Sequence, residues 1–231
     1  MQIHGFQKMT LLDYPGKVAA TVFTGGCNFR CPFCHNALLV TELSGSPVIP
    51  EEEVLAHLEK KKKLLDGVAV TGGEPLLQKD LPAFLKKLKE MGYPVKLDTN
   101  GSFPDRLKEL VKAGLVDYVA VDIKNRPEKY AETVGVADFD LTPVRETVDF
   151  LLSDAVDYEF RTTVVRQFHT PEDIRAAADW IRGAKRYFLQ NFVDSGNLIQ
   201  PGLTGVSSEE MEEMASAART ILPRVALRGV E

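Results

Sequence analysis

Short apolar runs alternate along the chain with longer amphipathic stretches, separated by turns. The runs span 17–24, 67–71, 94–98, 118–122, 157–165 and 186–191, and most are rich in Val, Phe or Tyr. Runs of that length and composition suit strands buried on both faces. Between them the apolar positions recur at helical spacing. Leu81, Phe84, Leu85 and Leu88 share one helix face, Leu107, Leu110 and Val111 another, and Met211, Met214, Ala215, Ala218 and Ile221 a third. Start signals agree: Ser207-Ser208-Glu209-Glu210 reads as a capping box, and Thr170-Pro171 and Thr142-Pro143 each read as a cap followed by proline.

Six strand–helix units in alternation predict an α/β chain with a parallel sheet and helices outside it. A complete eight-unit barrel needs about 250 residues. With a long N-terminal segment, 231 residues predict instead an open, partial (β/α)6 barrel. A flat doubly wound sheet is the rival, but no G-x-G-x-x-G turn follows the first run. No linker or repeat divides the chain, so one domain is expected over 1–231. It would comprise an N-terminal extension (1–16), a partial-barrel core (17–200), and a C-terminal helix with a short strand (201–231).

Composition narrows the function classes. At 44% hydrophobic and 26% charged, the chain has the balance of a globular protein. A net charge of −5 and a pI near 5.5 leave no basic footprint for nucleic acid. The one dense positive run, 60–63, sits near Glu51–Glu53 and reads as the solvated face of a helix. No run of 18 apolar residues is present, so no membrane span is expected. The opening MQIHGFQKMT lacks the apolar core of a signal peptide. A cytoplasmic protein with reduced thiols follows as the expectation.

The polar and glycine-rich residues concentrate where strands end. GGCNFRCPFCHN (25–36) follows the first run and Gly72-Gly73-Glu74-Pro75 the second. Asp98-Thr99-Asn100-Gly101 closes the third and Asp122-Ile123-Lys124 the fourth; Arg161 and Thr163 share one side of the fifth, and Gln190-Asn191 end the sixth. In barrels of parallel strands these ends form the active face. The three cysteines, Cys27, Cys31 and Cys34, are the only ones and are spaced C-x3-C-x2-C. Soft thiolates at that density select an iron–sulfur cluster, zinc or copper(I). A cubane has four iron corners, so three thiolates leave one open to an exchangeable ligand. Rival readings are a c-type haem site at Cys31-Pro-Phe-Cys34-His35, a thioredoxin-like pair, and a structural zinc with His35. The first requires export and leaves Cys27 idle, the second has no use for Cys27, and adjacent Cys34 and His35 strain the third.

CNFRCPFC followed by Gly-Gly-Glu-Pro resembles the radical S-adenosylmethionine superfamily, and the resemblance runs over nearly the whole chain. The opening GFQKMTLLDYPGKVAATVFTGGCNFRCPFCHN is similar to activating proteins of anaerobic ribonucleoside-triphosphate reductase; CPFCHN, LDTNG and DIK are similar to pyruvate formate-lyase activators. The resemblance implies a [4Fe-4S] cluster on Cys27, Cys31 and Cys34, with S-adenosylmethionine on its open iron. It implies that Gly72, Gly73 and Glu74 face the methionine amino group and that Lys124 meets the methionine carboxylate. Phe33 and the backbone at His35 would receive adenine, and Arg161 and Thr163 the ribose and adenine. Asp98, Thr99 and Asp122 match a monovalent-cation site of the lyase activators. Those activators also carry a histidine near the end of the sixth strand, where this chain reads Leu189-Gln190-Asn191-Phe192-Val193. The implied activity is reductive cleavage of S-adenosylmethionine to a 5′-deoxyadenosyl radical that abstracts hydrogen from a glycine Cα of a partner enzyme. With no cysteine left for a second cluster, the electron would come from a flavodoxin or ferredoxin. A deazaguanine-type synthase is the small-molecule alternative.

Overall fold

The structure is a computed structural model that describes residues 1–45 and 47–229. In chain order its elements are β1 (Ile3–Thr10), β2 (Ala19–Thr24), α1 (Leu38–Thr41), α2 (Glu51–Lys60), β3 (Gly67–Gly72), α3 (Leu81–Glu90), β4 (Val95–Thr99), α4 (Pro104–Lys112), β5 (Tyr118–Asp122), α5 (Tyr130–Val134), α6 (Thr142–Leu152), β6 (Asp157–Val164), α7 (Pro171–Trp180), β7 (Tyr187–Asn191), α8 (Ser208–Arg219) and β8 (Val225–Arg228). The fold is α/β, with strand order following sequence order from β1 to β8 in an open sheet. Strand β1 joins β2 antiparallel; β2–β3, β3–β4, β6–β7 and β7–β8 are parallel. The six expected runs all appear as strands, β2 to β7, within two residues at each end.

The described chain divides into two compact units. The first comprises Met1–Asn28, Leu38–Thr99 and Phe103–Val119; the second comprises Phe29–Ala37, Asn100–Ser102 and the chain from Ala120 onward. In the first, β2 and β3 run in register from Ala19 with Gly67 to Thr24 with Gly72. Val22, Val68, Val70, Val95 and Leu97 are fully buried, which is why these runs lack alternation. Helix α3 buries the expected stripe of Leu81, Phe84, Leu85 and Leu88, and α4 buries Leu107 and Leu110. Strand β1 was not expected. It buries only Ile3 and Thr10 at its ends and carries irregular register against β2, so neither period shows in its sequence. Helix α2 ends at Lys60, and Lys62 and Lys63 lie exposed beyond it, so the basic run is solvated but only its first residue is helical.

In the second unit the predicted capping box of Ser207 with Glu210 forms on α8, and the Thr170 cap before Pro171 forms on α7, where Asp173 completes a second box. Two expectations fail by a residue or two. Helix α6 takes Leu141 as its cap, so Thr142 sits in the first turn, its N–H donating to Asp140 Oδ1 at 2.9 Å. Helix α8 stops at Arg219, leaving Ile221 beyond it, while Leu222 is buried there. The anticipated short C-terminal strand is β8, parallel to β7. No helix among the described residues is long and apolar enough to cross a membrane.

Candidate cofactor site

Within the first unit, the turn after β3 lies against the segment after β2. Gly73 N–H donates to Thr24 O at 2.9 Å and Glu74 N–H to Gly26 O at 2.8 Å. A Cβ on Gly73 would stand 2.0 Å from Gly26 O; one on Gly72, whose φ is +117°, would stand 2.4 Å from Thr24 N and O. The close approach that demands glycine here is therefore to the chain's own backbone, immediately before Cys27. Glu74 is fully buried, and its Oε1 accepts from Leu76 N–H at 3.0 Å and Thr99 Oγ1 at 2.9 Å. It ties the end of β3 to the end of β4 and caps the short 3-10 turn Pro75–Leu77. Asp98 is ion-paired to Lys96, a lysine only 1% exposed inside β4.

Within the second unit the part of the cysteine segment that carries Cys31 and Cys34 is irregular and held by backbone. Arg30 N–H donates to Val134 O at 2.9 Å, and Gly135, in the left-handed region at the end of α5, admits Arg30 O where a Cβ would be 2.4 Å away. Cys34 N–H donates to Cys31 O at 3.1 Å, and Gln200 N–H to Pro32 O at 3.0 Å. Cys31 is buried and Cys34 half-buried. Burial pushes the Cys34 thiol up, only partly offset by its hydrogen bond to Asn36 and by Lys124. Phe33 is buried against Phe168 and His169, with centroids 5.6 and 6.4 Å away. His35 is exposed, stacked on Phe192 at 5.2 Å, with Nε2 3.0 Å from Val193 O.

At the end of β5, Asp122 takes Lys124 Nζ at 3.1 Å and Arg161 Nε at 3.0 Å. Burial alone would raise the Asp122 carboxyl; Arg161 and Lys124 outweigh it and hold the group well below the usual carboxylate range. Burial likewise opposes the Lys124 charge, but Asp122 and then Cys31 keep it protonated, far above the ordinary lysine value. Tyr130 braces this turn: its hydroxyl donates to Asp122 O at 3.3 Å and accepts from Lys124 N–H at 3.4 Å. Thr163 lies two residues past Arg161 on the same half-buried face of β6. Asn191 spends both ends of its amide on Val206, at 2.8 and 3.0 Å. Of the two residues considered for the missing histidine, Gln190 is thus the one whose amide is uncommitted to a backbone clamp.

None of the three cysteines is disulfide-bonded. Among the described residues no three His, Cys, Asp or Glu side chains converge on one point. The cubane implied for this segment takes cysteine thiolates on its iron corners. The donor set of three soft ligands, with a protonated lysine close enough to Cys31 to feel its charge, fits such a cluster. The candidate cation ligands are engaged within the chain instead: Asp98 by Lys96, Thr99 by Glu74, Asp122 by Lys124 and Arg161. Sequence reasoning missed Lys96, Glu159, His169 and Arg228. Glu159 was open to discovery, because it shares the Arg161 face at spacing two.

A family model described as Radical SAM superfamily matches residues 21–218. "Putative glycyl-radical enzyme activating enzyme MJ1227" of Methanocaldococcus jannaschii is 32% identical over 99% of this chain and 96% of its own length. A pyruvate formate-lyase-activating enzyme of Clostridium pasteurianum is 36% identical over 54% of this chain and 52% of its own. A 7-carboxy-7-deazaguanine synthase of Koribacter versatilis is 30% identical over 67% and 65%. Among solved structures, SuiB of Streptococcus suis bound to S-adenosylmethionine superposes with a TM-score of 0.70 at 14% identity, covering 88% of this chain and 48% of SuiB, a likeness of fold alone. With the family model spanning most of the sequence and a relative aligned end to end, this chain belongs to the radical SAM superfamily, whose members use a [4Fe-4S] cluster and S-adenosylmethionine.

Proposed function

We propose that this radical SAM enzyme, a single functional domain over 1–231, activates a glycyl radical enzyme, anaerobic ribonucleoside-triphosphate reductase being the preferred partner. The observation that carries the reading is end-to-end correspondence with the Methanocaldococcus relative named for that activity, against 67% of the chain for the deazaguanine synthase. The choice of reductase rests on the resemblance of the opening GFQKMTLLDYPGKVAATVFTGGC.

Cys27, Cys31 and Cys34 would hold the cluster. When bound, the cluster and S-adenosylmethionine supply a carbon-centred radical able to take hydrogen from a glycine Cα. The chain's own part is binding and orientation. Lys124 offers a fixed positive charge to the methionine carboxylate, and its pairing with Asp122 keeps it protonated at any working pH. Arg161, pinned to the other oxygen of Asp122, shares a strand face with Thr163 and presents it to the nucleoside. Gly72 and Gly73 bring the β3 turn onto Gly26, which sets where the methionine amino group meets backbone, with Glu74 and Thr99 as the buried brace beneath. Asp98 belongs to the same strand ends, and Phe33 and His35 border the adenine from the cysteine segment. No side chain is required as acid, base or nucleophile. The reducing electron comes from an external donor such as a flavodoxin or ferredoxin.

The test is anaerobic. Reconstituted protein should bind about four iron and four sulfide per chain, and Cys31→Ala should lose both. Incubation with the reductase, S-adenosylmethionine and a reductant should give a glycyl doublet by electron paramagnetic resonance. A loaded cluster with no doublet defeats the preferred partner; a doublet on a pyruvate formate-lyase-type enzyme instead reassigns it. Formation of a 7-carboxy-7-deazaguanine, with no doublet on any glycyl radical enzyme, makes the synthase reading the correct one.

A further inference from the structure

Glu159 is a carboxylate only 1% exposed, on the same face of β6 as Arg161 and Thr163. It receives both arms of Arg228, from NH1 at 3.0 Å and NH2 at 2.9 Å, in the bidentate geometry that makes arginine–carboxylate pairs strong. The Arg228 guanidinium lies over the Phe188 ring, 3.5 Å from its centroid, and Phe188 is the β7 residue in register with Arg161. Arg161 therefore stands between two carboxylates. Its Nε is 3.0 Å from Asp122 and its NH1 4.0 Å from Glu159. Which one holds it depends on how well Glu159 is satisfied from the other side.

We infer that Arg228 and Glu159 are positioning residues for ligand binding: Arg228 occupies Glu159, which leaves Arg161 on Asp122 and Lys124 available beside the cysteine segment. The inference rests on the proposal that Arg161 and Lys124 receive S-adenosylmethionine. Removing one partner of a buried ion pair leaves the other charge in need of compensation. Without Arg228, Glu159 draws Arg161 toward itself and off Asp122. Asp122 then leans on Lys124, the cation meant for the ligand carboxylate. No residue in this chain of five need touch the ligand at the Arg228 end for binding to suffer.

The experiment uses the full chain, anaerobically reconstituted, and measures S-adenosylmethionine binding by calorimetry and by the change the ligand makes in the spectrum of the reduced cluster. Arg228→Met should weaken binding about tenfold, the effect typical of outer-shell partners, with iron and sulfide content unchanged. Glu159→Gln combined with Arg228→Met removes both charges of the pair, frees Arg161 to return to Asp122, and should restore affinity to within about threefold of wild type. A merely structural role would leave the double variant as weak as the single one, and that result overturns the inference, as does wild-type affinity in Arg228→Met. Should Arg228→Met fail to fold, Arg228→Lys, which keeps the charge but not the fork, takes its place with the same expected direction. Wild-type protein that carries the cluster and binds no S-adenosylmethionine overturns the functional reading itself, an outcome distinct from normal wild-type binding with unaffected variants.

Discussion

Mild acid should destabilise this chain while its carboxylates are still charged, and His169 is the group responsible. The ring is 3% exposed, and its two nitrogens are engaged as a neutral imidazole would engage them. Nδ1 accepts from Val165 N–H at 3.1 Å and Nε2 donates to Lys124 O at 2.8 Å. A second ring proton on Nδ1 would crowd the Val165 N–H that now donates there, with the Val165 carbonyl 3.3 Å away as its only acceptor among the described contacts. Burial pushes the His169 pKa below the ordinary histidine value, more than its backbone partners raise it. The sign follows from linkage. Below about pH 6.5 the unfolded chain takes up a proton that the folded chain refuses, so stability falls with pH until the folded ring also titrates; above that range the group contributes no slope. The limiting slope is about 1.4 kcal/mol per pH unit, so between pH 6.5 and 5 the loss approaches about 2 kcal/mol for a ring that stays neutral. Urea unfolding followed by circular dichroism from pH 7.5 to 5 measures it, with His169→Gln as the comparison. The glutamine keeps a donor for Lys124 O and cannot be protonated. Its profile should be lower at neutral pH and flatter toward acid; two parallel profiles refute the reasoning.

Three further outcomes are expected. Gly73→Ala places a Cβ 2.0 Å from Gly26 O and should cost about 1–3 kcal/mol in urea unfolding, with iron incorporation falling because Gly26 precedes Cys27. Lys96→Met breaks a pair buried in β4 and should cost about 3–5 kcal/mol, most of which Lys96→Met with Asp98→Asn recovers; equal losses in both would mean the pair is not what matters. Thr170→Ala removes the α7 capping box and should lower the unfolding free energy by about 1 kcal/mol without changing S-adenosylmethionine affinity.

Strand positions were legible because burial on both faces leaves uninterrupted apolar runs, and α3, α7 and α8 were legible because one-sided burial and caps are local. What escaped was set by pairing at a distance. Strand β1 carries Gly5, Lys8 and an irregular register, so its strand character comes from β2 and not from its own pattern. The cap of α6 moved by one residue because Asp140 already accepts the Thr142 N–H, a competition that propensity does not weigh. Arg228 reads as an ordinary residue near a terminus, and only the fold brings it to Glu159, 69 residues earlier.

The glycine pair shows how one local inference can have a partner within the chain that the sequence does not name. Gly-Gly after a strand says that something approaches where a side chain would stand, and by resemblance that something was the ligand. In the structure the forbidden volume at Gly72 and Gly73 is filled by Thr24 and Gly26, and that at Gly135 by Arg30 O. The cysteine segment is thus held by backbone against a glycine at two points, just before Cys27 and at Arg30, one within each unit. Three cysteines in eight residues cannot be fixed by their own short side chains. Backbone clamps with no Cβ to yield are how such a segment keeps its shape before iron arrives, and this makes the glycines supports of the ligand loop whatever else they touch.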